Sequence, residues 1–194
     1  MRIFRWLSGG TLLAAIVGLF AGAIAVLGAE QMDHYTSTDE FCTSCHLTGE
    51  YIAKSQTYLT SSHQTRASGV RPGCADCHIP KGLVAATWTH VVKGAQDLYG
   101  QIRYDYDDPE IWQARRAELA YGVRDWMLAN DSATCRSCHK QESIKPARKR
   151  GQKQHAEARE TGMTCIACHY NLVHDEVEPR DDFLERSSKH GGSS

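Results

Sequence analysis

A mostly α-helical chain with long loops, built from two duplicated halves behind one N-terminal transmembrane helix, is the fold class this sequence predicts. Three observations predict it. The 24 residues from Trp6 to Ala29 carry no charge. The pattern Cys-x-x-Cys-His occurs four times, in two pairs of nearly equal spacing, and no cysteine lies outside it. Only 41% of the 194 residues are hydrophobic, many of them in the uncharged run, so the remainder is short of aliphatic side chains for a core of its own.

The uncharged run comes first. As a helix it spans about 36 Å at about 1.5 Å per residue, more than the roughly 30 Å hydrocarbon layer of a bilayer. A cleaved signal peptide has an apolar stretch of only about 7–15 residues, and Leu27 fits a small-x-small cleavage site poorly. The run therefore reads as an uncleaved anchor. Arg2 and Arg5 before it place the N-terminus in the cytoplasm, and everything after Glu30 on the outer face of the cytoplasmic membrane, in the periplasm.

The four motifs are Cys42-Thr43-Ser44-Cys45-His46, Cys74-Ala75-Asp76-Cys77-His78, Cys135-Arg136-Ser137-Cys138-His139 and Cys165-Ile166-Ala167-Cys168-His169. In an oxidising compartment free cysteines would tend to pair as disulfides. A lone Cys-x-x-Cys would read equally as a redox dithiol or half a zinc site. Four copies, each followed directly by His, point instead to covalent haem: two thiols add to the vinyl groups and the adjacent imidazole reaches the iron. The expected cofactors are four c-type haems. Porphyrin then supplies the missing apolar bulk, and the haem-free chain is expected not to fold.

The spacing carries a duplication. Motifs one and two start 32 residues apart, three and four 30 apart, and the pairs are offset by 93 and 91. His63 lies 11 residues before Cys74, and His155 lies 10 before Cys165. Recurrence at one repeat position marks both as distal iron ligands. Pseudo-two-fold symmetry suggests exchange, with His155 on the second haem and His63 on the fourth. His174, five residues after His169, is then expected to close the third, whereas its repeat counterpart, five residues after His78, is Leu83. Iron axial positions are thus assigned to His46, His78, His139, His169, His63, His155 and His174. The first haem is left without a matching distal histidine. It follows Glu30 by about a dozen residues, so it lies near the bilayer, within reach of a lipid-soluble reductant.

A helix is expected over Leu83–Tyr99, with His90, Lys93 and Asp97 on one face. They read either as a solvated stripe or as a quinol site in which Lys93 or His90 orients an oxygen and Asp97 accepts a proton. A second helix starts at Asp108, its N-cap, with Pro109 at the first position, and is expected to cover haem edges with Trp112 and Trp126. His34 and His190 read as solvent residues.

The net charge of −1 gives the chain no overall bias, but Lys140, Lys145, Arg148, Lys149, Arg150 and Lys153 cluster, as do Asp175, Glu176, Glu178, Asp181, Asp182 and Glu185. Each reads as a solvated face or as a patch steering a charged redox partner. The basic stretch lacks the interleaved aromatics of a nucleic-acid surface, so no nucleic acid is expected.

Taken with Glu40-Phe41 before motif one, Ser62-His63, Ser68-Gly69-Val70-Arg71, Ile79-Pro80 after motif two, Asp97-Leu98-Tyr99-Gly100 and His174, these features resemble the NapC/NirT family of membrane-anchored tetrahaem cytochromes over nearly the whole chain. The resemblance implies electron transfer from membrane quinol to periplasmic terminal reductases. It also implies that Asp97 sits by the first haem and that Lys93 belongs to the quinol site. Family members typically carry methionine two residues after the first motif histidine; Thr48 stands there in this chain, and Met32 is the nearest alternative in sequence.

The domain reading is residues 1–30 as anchor, 31–108 as first dihaem module, 109–131 as connecting helix, 132–180 as second dihaem module and 181–194 as polar tail. Expected partners are the lipid bilayer, membrane quinol or quinone and a periplasmic redox protein or reductase, with a homodimer compatible. A relay from a periplasmic donor to quinone is the alternative, because direction follows the potential difference. Catalysis at an open first haem is a third reading, without a surrounding cluster of acids and bases to support it.

Overall fold

The computed structural model describes residues 9–189. Arg2, Arg5 and Trp6 of the expected anchor, and His190 in the expected tail, lie outside the described residues. Among those described there is no strand.

Helix α1 (Gly9–Thr36) has a mean hydropathy of 2.5 over its most apolar window, and none of it is buried. It is long and apolar enough to cross a membrane. It does not stop at Glu30 but runs on through a polar turn to Thr36, and that turn carries Asp33 toward the rest of the protein.

The motifs nucleate short helices held by local caps. Thr38 caps α2 (Asp39–Cys42) by accepting from Phe41 N–H at 3.2 Å. A π-helical turn, Leu47–Ala53, follows motif one, and Ser55 caps α3 (Gln56–Thr60). Ahead of α4 (Cys74–His78), Gly73 N–H donates to Asp76 at 3.0 Å and Cys74 N–H donates to Asp39 of α2 at 2.8 Å. Asp39 thus ties motif one to motif two.

Two 21-residue helices form the frame. Helix α5 (Leu83–Arg103) extends four residues past the expected end at Tyr99 and packs against α1. Helix α6 (Pro109–Ala129) begins as expected, with Asp108 accepting from Glu110 N–H at 2.8 Å. Beyond it come α7 (Ala133–Cys138), α8 (Lys149–Glu160) and a 3-10 turn over Cys165–Ala167 in motif four.

The segment read as a polar tail is not loose. Residues Asp181–Lys189 form α9, and Phe183, 2% exposed, packs with Leu128 of α6 and Ile166 of motif four. Phe183 and Ser187, one turn apart, bury one face of a helix whose other positions, Leu184 apart, are polar. Arg180 and Arg186 both reach Asp125 of α6 at 2.6 Å.

Buried apolar side chains are few: Ala86, Tyr106, Trp112, Leu128, Ile166, Val177 and Phe183 among the described residues. So small a set is little core for a chain of 194 residues. The expectation that another group supplies apolar volume fits this packing.

Candidate haem sites

Each motif histidine ends or follows its own short helical turn, and the chain crosses over so that other imidazoles come to face three of them. The ring centroids of His78 and His174 lie 6.1 Å apart, those of His63 and His139 6.1 Å, and those of His155 and His169 6.0 Å. Two imidazoles bound to one metal through bonds of about 2 Å place their centroids roughly 6 Å apart. Each pair therefore has the spacing to hold an iron between its rings. The remaining motif histidine, His46, faces no imidazole among the described residues. Its neighbours are Tyr51, 6.0 Å away between ring centroids, and Asp107, whose carboxylate is 3.3 Å from His46 Nδ1.

The pairings differ from those expected from the repeat. His155 was expected over motif two and meets motif four; His63 was expected over motif four and meets motif three; His174 was expected over motif three and meets motif two. The reason is local geometry. Helix α8 precedes motif four by only a short turn, so His155 folds back onto its own module. His174, beyond motif four, reaches instead to α3, where it stacks on Tyr58 at 6.3 Å, and from there to His78. Two of the three pairs join the halves of the chain and one is internal to the second half.

Burial favours the neutral imidazoles that bind metal. Desolvation, with His174 beside it, pushes His78 down to about 4. Desolvation also lowers His63 (helped by His139 and Arg66) and His169 (helped by His155 and His139). It lowers His174 too, against the pull of Asp175. Nδ1 of His63 is buried without a hydrogen-bond partner.

None of the eight cysteines forms a disulfide. Their electrostatic neighbours put the motifs in chain order. The Cys42 thiol interacts with Cys74, which lowers Cys42 and raises Cys74. Burial raises Cys77 to about 11, with Cys135 and Cys138 of motif three adding to the effect. Burial also raises Cys135, and Cys165 of motif four adds to it. Groups bound at the four motifs would thus form one continuous row.

The expected quinol triad is only partly assembled. His90, Lys93 and Asp97 do share one side of α5. His90 is drawn away to α1, where Asp33 lies 3.2 Å from its Nδ1 and the two side chains are largely shielded. Lys93 donates to Gln96 at 3.3 Å. Asp97 stands at the surface, yet the protein atoms crowded around it raise its carboxyl above the ordinary range, with Lys93 opposing. The opposite side of α5 is an exposed apolar stripe, with Val84 83%, Trp88 69% and Ile102 79% exposed and Val91 and Leu98 between them.

Trp112 is buried and stacks on Tyr51 at 5.2 Å, beside His46, whereas Trp126 is half-buried. Met32 is 39% exposed on α1. Asp33, Tyr51 and Asp107 were not singled out from sequence. None belongs to a motif, and each acquires its role only through folding.

A protein-family model described as the NapC/NirT cytochrome c family, N-terminal region, matches residues 7–179. The chain belongs to the NapC/NirT cytochrome c family. It is 42% identical, over 89% of its length and 71% of the relative's, to a probable tetraheme cytochrome c-type protein of Nitrosomonas europaea. To the denitrification system component NirT of Stutzerimonas stutzeri it is 38% identical, over 88% of this chain and 83% of that one. To the cytochrome c-type protein NapC of Escherichia coli K12 it is 33% identical, covering 92% and 93%. No solved structure matches. As a NapC/NirT cytochrome, the protein binds c-type haem and serves electron transport, and its mostly helical architecture behind one long apolar helix is that of a multihaem cytochrome.

Proposed function

We propose that this NapC/NirT protein takes electrons from quinol in the membrane and passes them through four covalently held haems to a periplasmic acceptor. The observation that carries the reading is the inequality of the motif histidines. Three face a second imidazole at 6.0–6.1 Å, and His46, nearest in sequence to α1, does not. Bis-imidazole iron exchanges single electrons with little change of ligands, which is the chemistry the haems supply.

The chain's own residues do the rest. Cys42 and Cys45, Cys74 and Cys77, Cys135 and Cys138, and Cys165 and Cys168 are the covalent attachment points. His78 with His174, His139 with His63, and His169 with His155 hold the second, third and fourth irons. His46 holds the first, and Asp107 at its Nδ1 fixes the ring orientation. Removing two electrons from a quinol also releases two protons. Asp97 accepts a proton at its carboxylate and Lys93 orients the quinol oxygen. The His90–Asp33 contact fixes α5 against the end of α1, keeping that carboxylate at the bilayer surface. Relatives named as a denitrification component and as NapC support a periplasmic reductase system as the acceptor.

The test is reduction of the holoprotein, reconstituted in a bilayer, by a lipid-soluble quinol analogue, with the four potentials resolved by redox titration. All four haems are expected to be reduced, and Asp97→Asn is expected to slow the step at least tenfold while leaving dithionite reduction unchanged. Failure of the quinol analogue to reduce any haem, or potentials that rise from the acceptor side toward the first haem, would overturn the reading in favour of the reverse relay.

A further inference from the structure

The two charged clusters of the sequence meet different fates in the fold. In the acidic one, Asp182 pairs with Arg180 and Arg186 and Glu185 pairs with Lys189, while Asp175, Glu176, Glu178 and Asp181 form no ion pair among the described residues. In the basic one, Lys140, Lys145, Arg148, Lys149, Arg150 and Lys153 are all exposed. None of the six meets a carboxylate within ion-pairing distance among the described residues. Six cations without an ion pair stand between motif three and motif four, where they outnumber the three carboxylates of that stretch, Glu142, Glu157 and Glu160.

Their placement is specific. Lys149, Arg150 and Lys153 occupy one side of α8, within an arc of about 100° at about 100° per residue, with Glu157 and Glu160 on the same side nearer the end of the helix. His155 projects from roughly the opposite side of the same helix, toward His169 at 6.0 Å. Lys140, Lys145 and Arg148 lie in the stretch leading from motif three into α8. A partner seated on this face is separated from the His155–His169 site by one helix, about 10 Å in diameter. The face also belongs to the end of the row of motifs that is farther, along the chain, from α1.

We propose that this basic face is the docking surface for the soluble redox partner, and that it recognises a partner presenting an acidic patch around its own redox centre. The proposal rests on the reading of the protein as a quinol-linked relay and names the chemistry of its acceptor. Haem bound at motif four would supply one electron, and the partner's centre would be reduced by one, with no proton moved. Opposite charges steer such encounters and raise association rates by about 10–1000-fold, an advantage that salt removes once the Debye length falls to about 8 Å or less. The contact is transient, as turnover requires.

Cytochrome c is a suitable pair of probes. It is basic in its native form and becomes acidic when its lysines are succinylated, with the same haem. Holoprotein reduced by dithionite is mixed with each form at low and high salt, and acceptor reduction is followed by stopped flow. The acidic form should be reduced at least tenfold faster at low salt, with the difference collapsing at high salt. In the triple variant Lys149→Glu, Arg150→Glu, Lys153→Glu the preference should vanish or reverse. Arg71→Glu, an equal kind of change elsewhere, should keep it. Unchanged visible spectra establish that the variants keep their haems. Equal rates for both acceptors in the unmodified protein, or a preference that survives the triple reversal, overturns the proposal. Because dithionite loads the haems, that result leaves the quinol reading untouched. Failure of quinol reduction, in turn, leaves the docking test standing.

Discussion

Phe183 offers a direct test of whether the C-terminal helix is part of the core. Its ring is 2% exposed, stands edge-on to Tyr170 at 6.1 Å and packs with Leu128 and Ile166. Phe183→Ala removes the whole ring and leaves a cavity whose lining is tied to motif four. Phe-to-Ala changes in cores cost about 3–5 kcal/mol, and an aromatic pair of this geometry adds about 0.5–1.5 kcal/mol beyond area. An overall loss of about 4 kcal/mol is expected, equivalent to roughly 10 °C in Tm for a domain of this size. The assay is thermal or denaturant unfolding of the holoprotein in detergent, followed by the Soret band. The control is Leu184→Ala, at the neighbouring position and 41% exposed, which should cost less than about 1 kcal/mol. If the two variants unfold together, α9 is not holding motif four and the packing account is wrong.

Ser132→Ala probes the junction of motifs three and four. The Ser132 hydroxyl is fully buried, lies 2.6 Å from the Thr164 hydroxyl and accepts from Ile166 N–H at 3.0 Å, so its loss should cost about 1–3 kcal/mol in the same unfolding assay. Replacing His63, His155 or His174 by Ala should each create one carbon-monoxide-binding haem in the reduced protein, and added imidazole should close it again. An unchanged carbon monoxide spectrum would remove that residue from the ligand set. Desolvation raises the Asp97 carboxyl, so its base form is lost at a higher pH than for an ordinary aspartate. Quinol-driven reduction should therefore fall off on the acid side above the usual carboxylate range, and Asp97→Asn should abolish that limb. The sign for stability is opposite. The native state holds this proton more tightly than the unfolded one, so Asp97 costs stability as pH rises through its raised value, and the Asn variant should be flatter with pH.

The sequence was informative wherever the signal was local. The four motifs, the apolar anchor and the Asp108–Pro109 helix start are patterns of neighbouring residues, and their structural counterparts follow directly. Recurrence singles out His63 and His155, and its place five residues after motif four singles out His174; each of the three rings lies about 6 Å from a motif imidazole. Which iron each serves was not legible, since that depends on how α8 folds back and where the chain beyond motif four travels. Symmetry of sequence suggested reciprocal exchange; the short link from α8 to motif four makes one pair internal instead. The contacts of Asp33 with His90 and of Asp107 with His46 join residues far apart in the chain with no motif to announce them. Helix α9 was masked by composition, because a single buried aromatic side chain, Phe183, anchors a segment that is polar but for it and the exposed Leu184.

The crossing of His174 to His78 also sets an order of events in the making of the protein. On the expected topology, a chain threaded outward from the anchor presents His63 before His139, and His155 before His169, so on the proposed ligation the third and fourth sites find their second imidazole already waiting. The second site does not. His78 emerges 96 residues ahead of His174 and must be carried, with its haem already attached, in a half-closed state until almost the whole chain is out. Maturation of the second haem is thus the last to finish although its motif is the second to appear. A chain cut short just before His174 would carry its lesion beside the anchor-proximal motif rather than at the broken end.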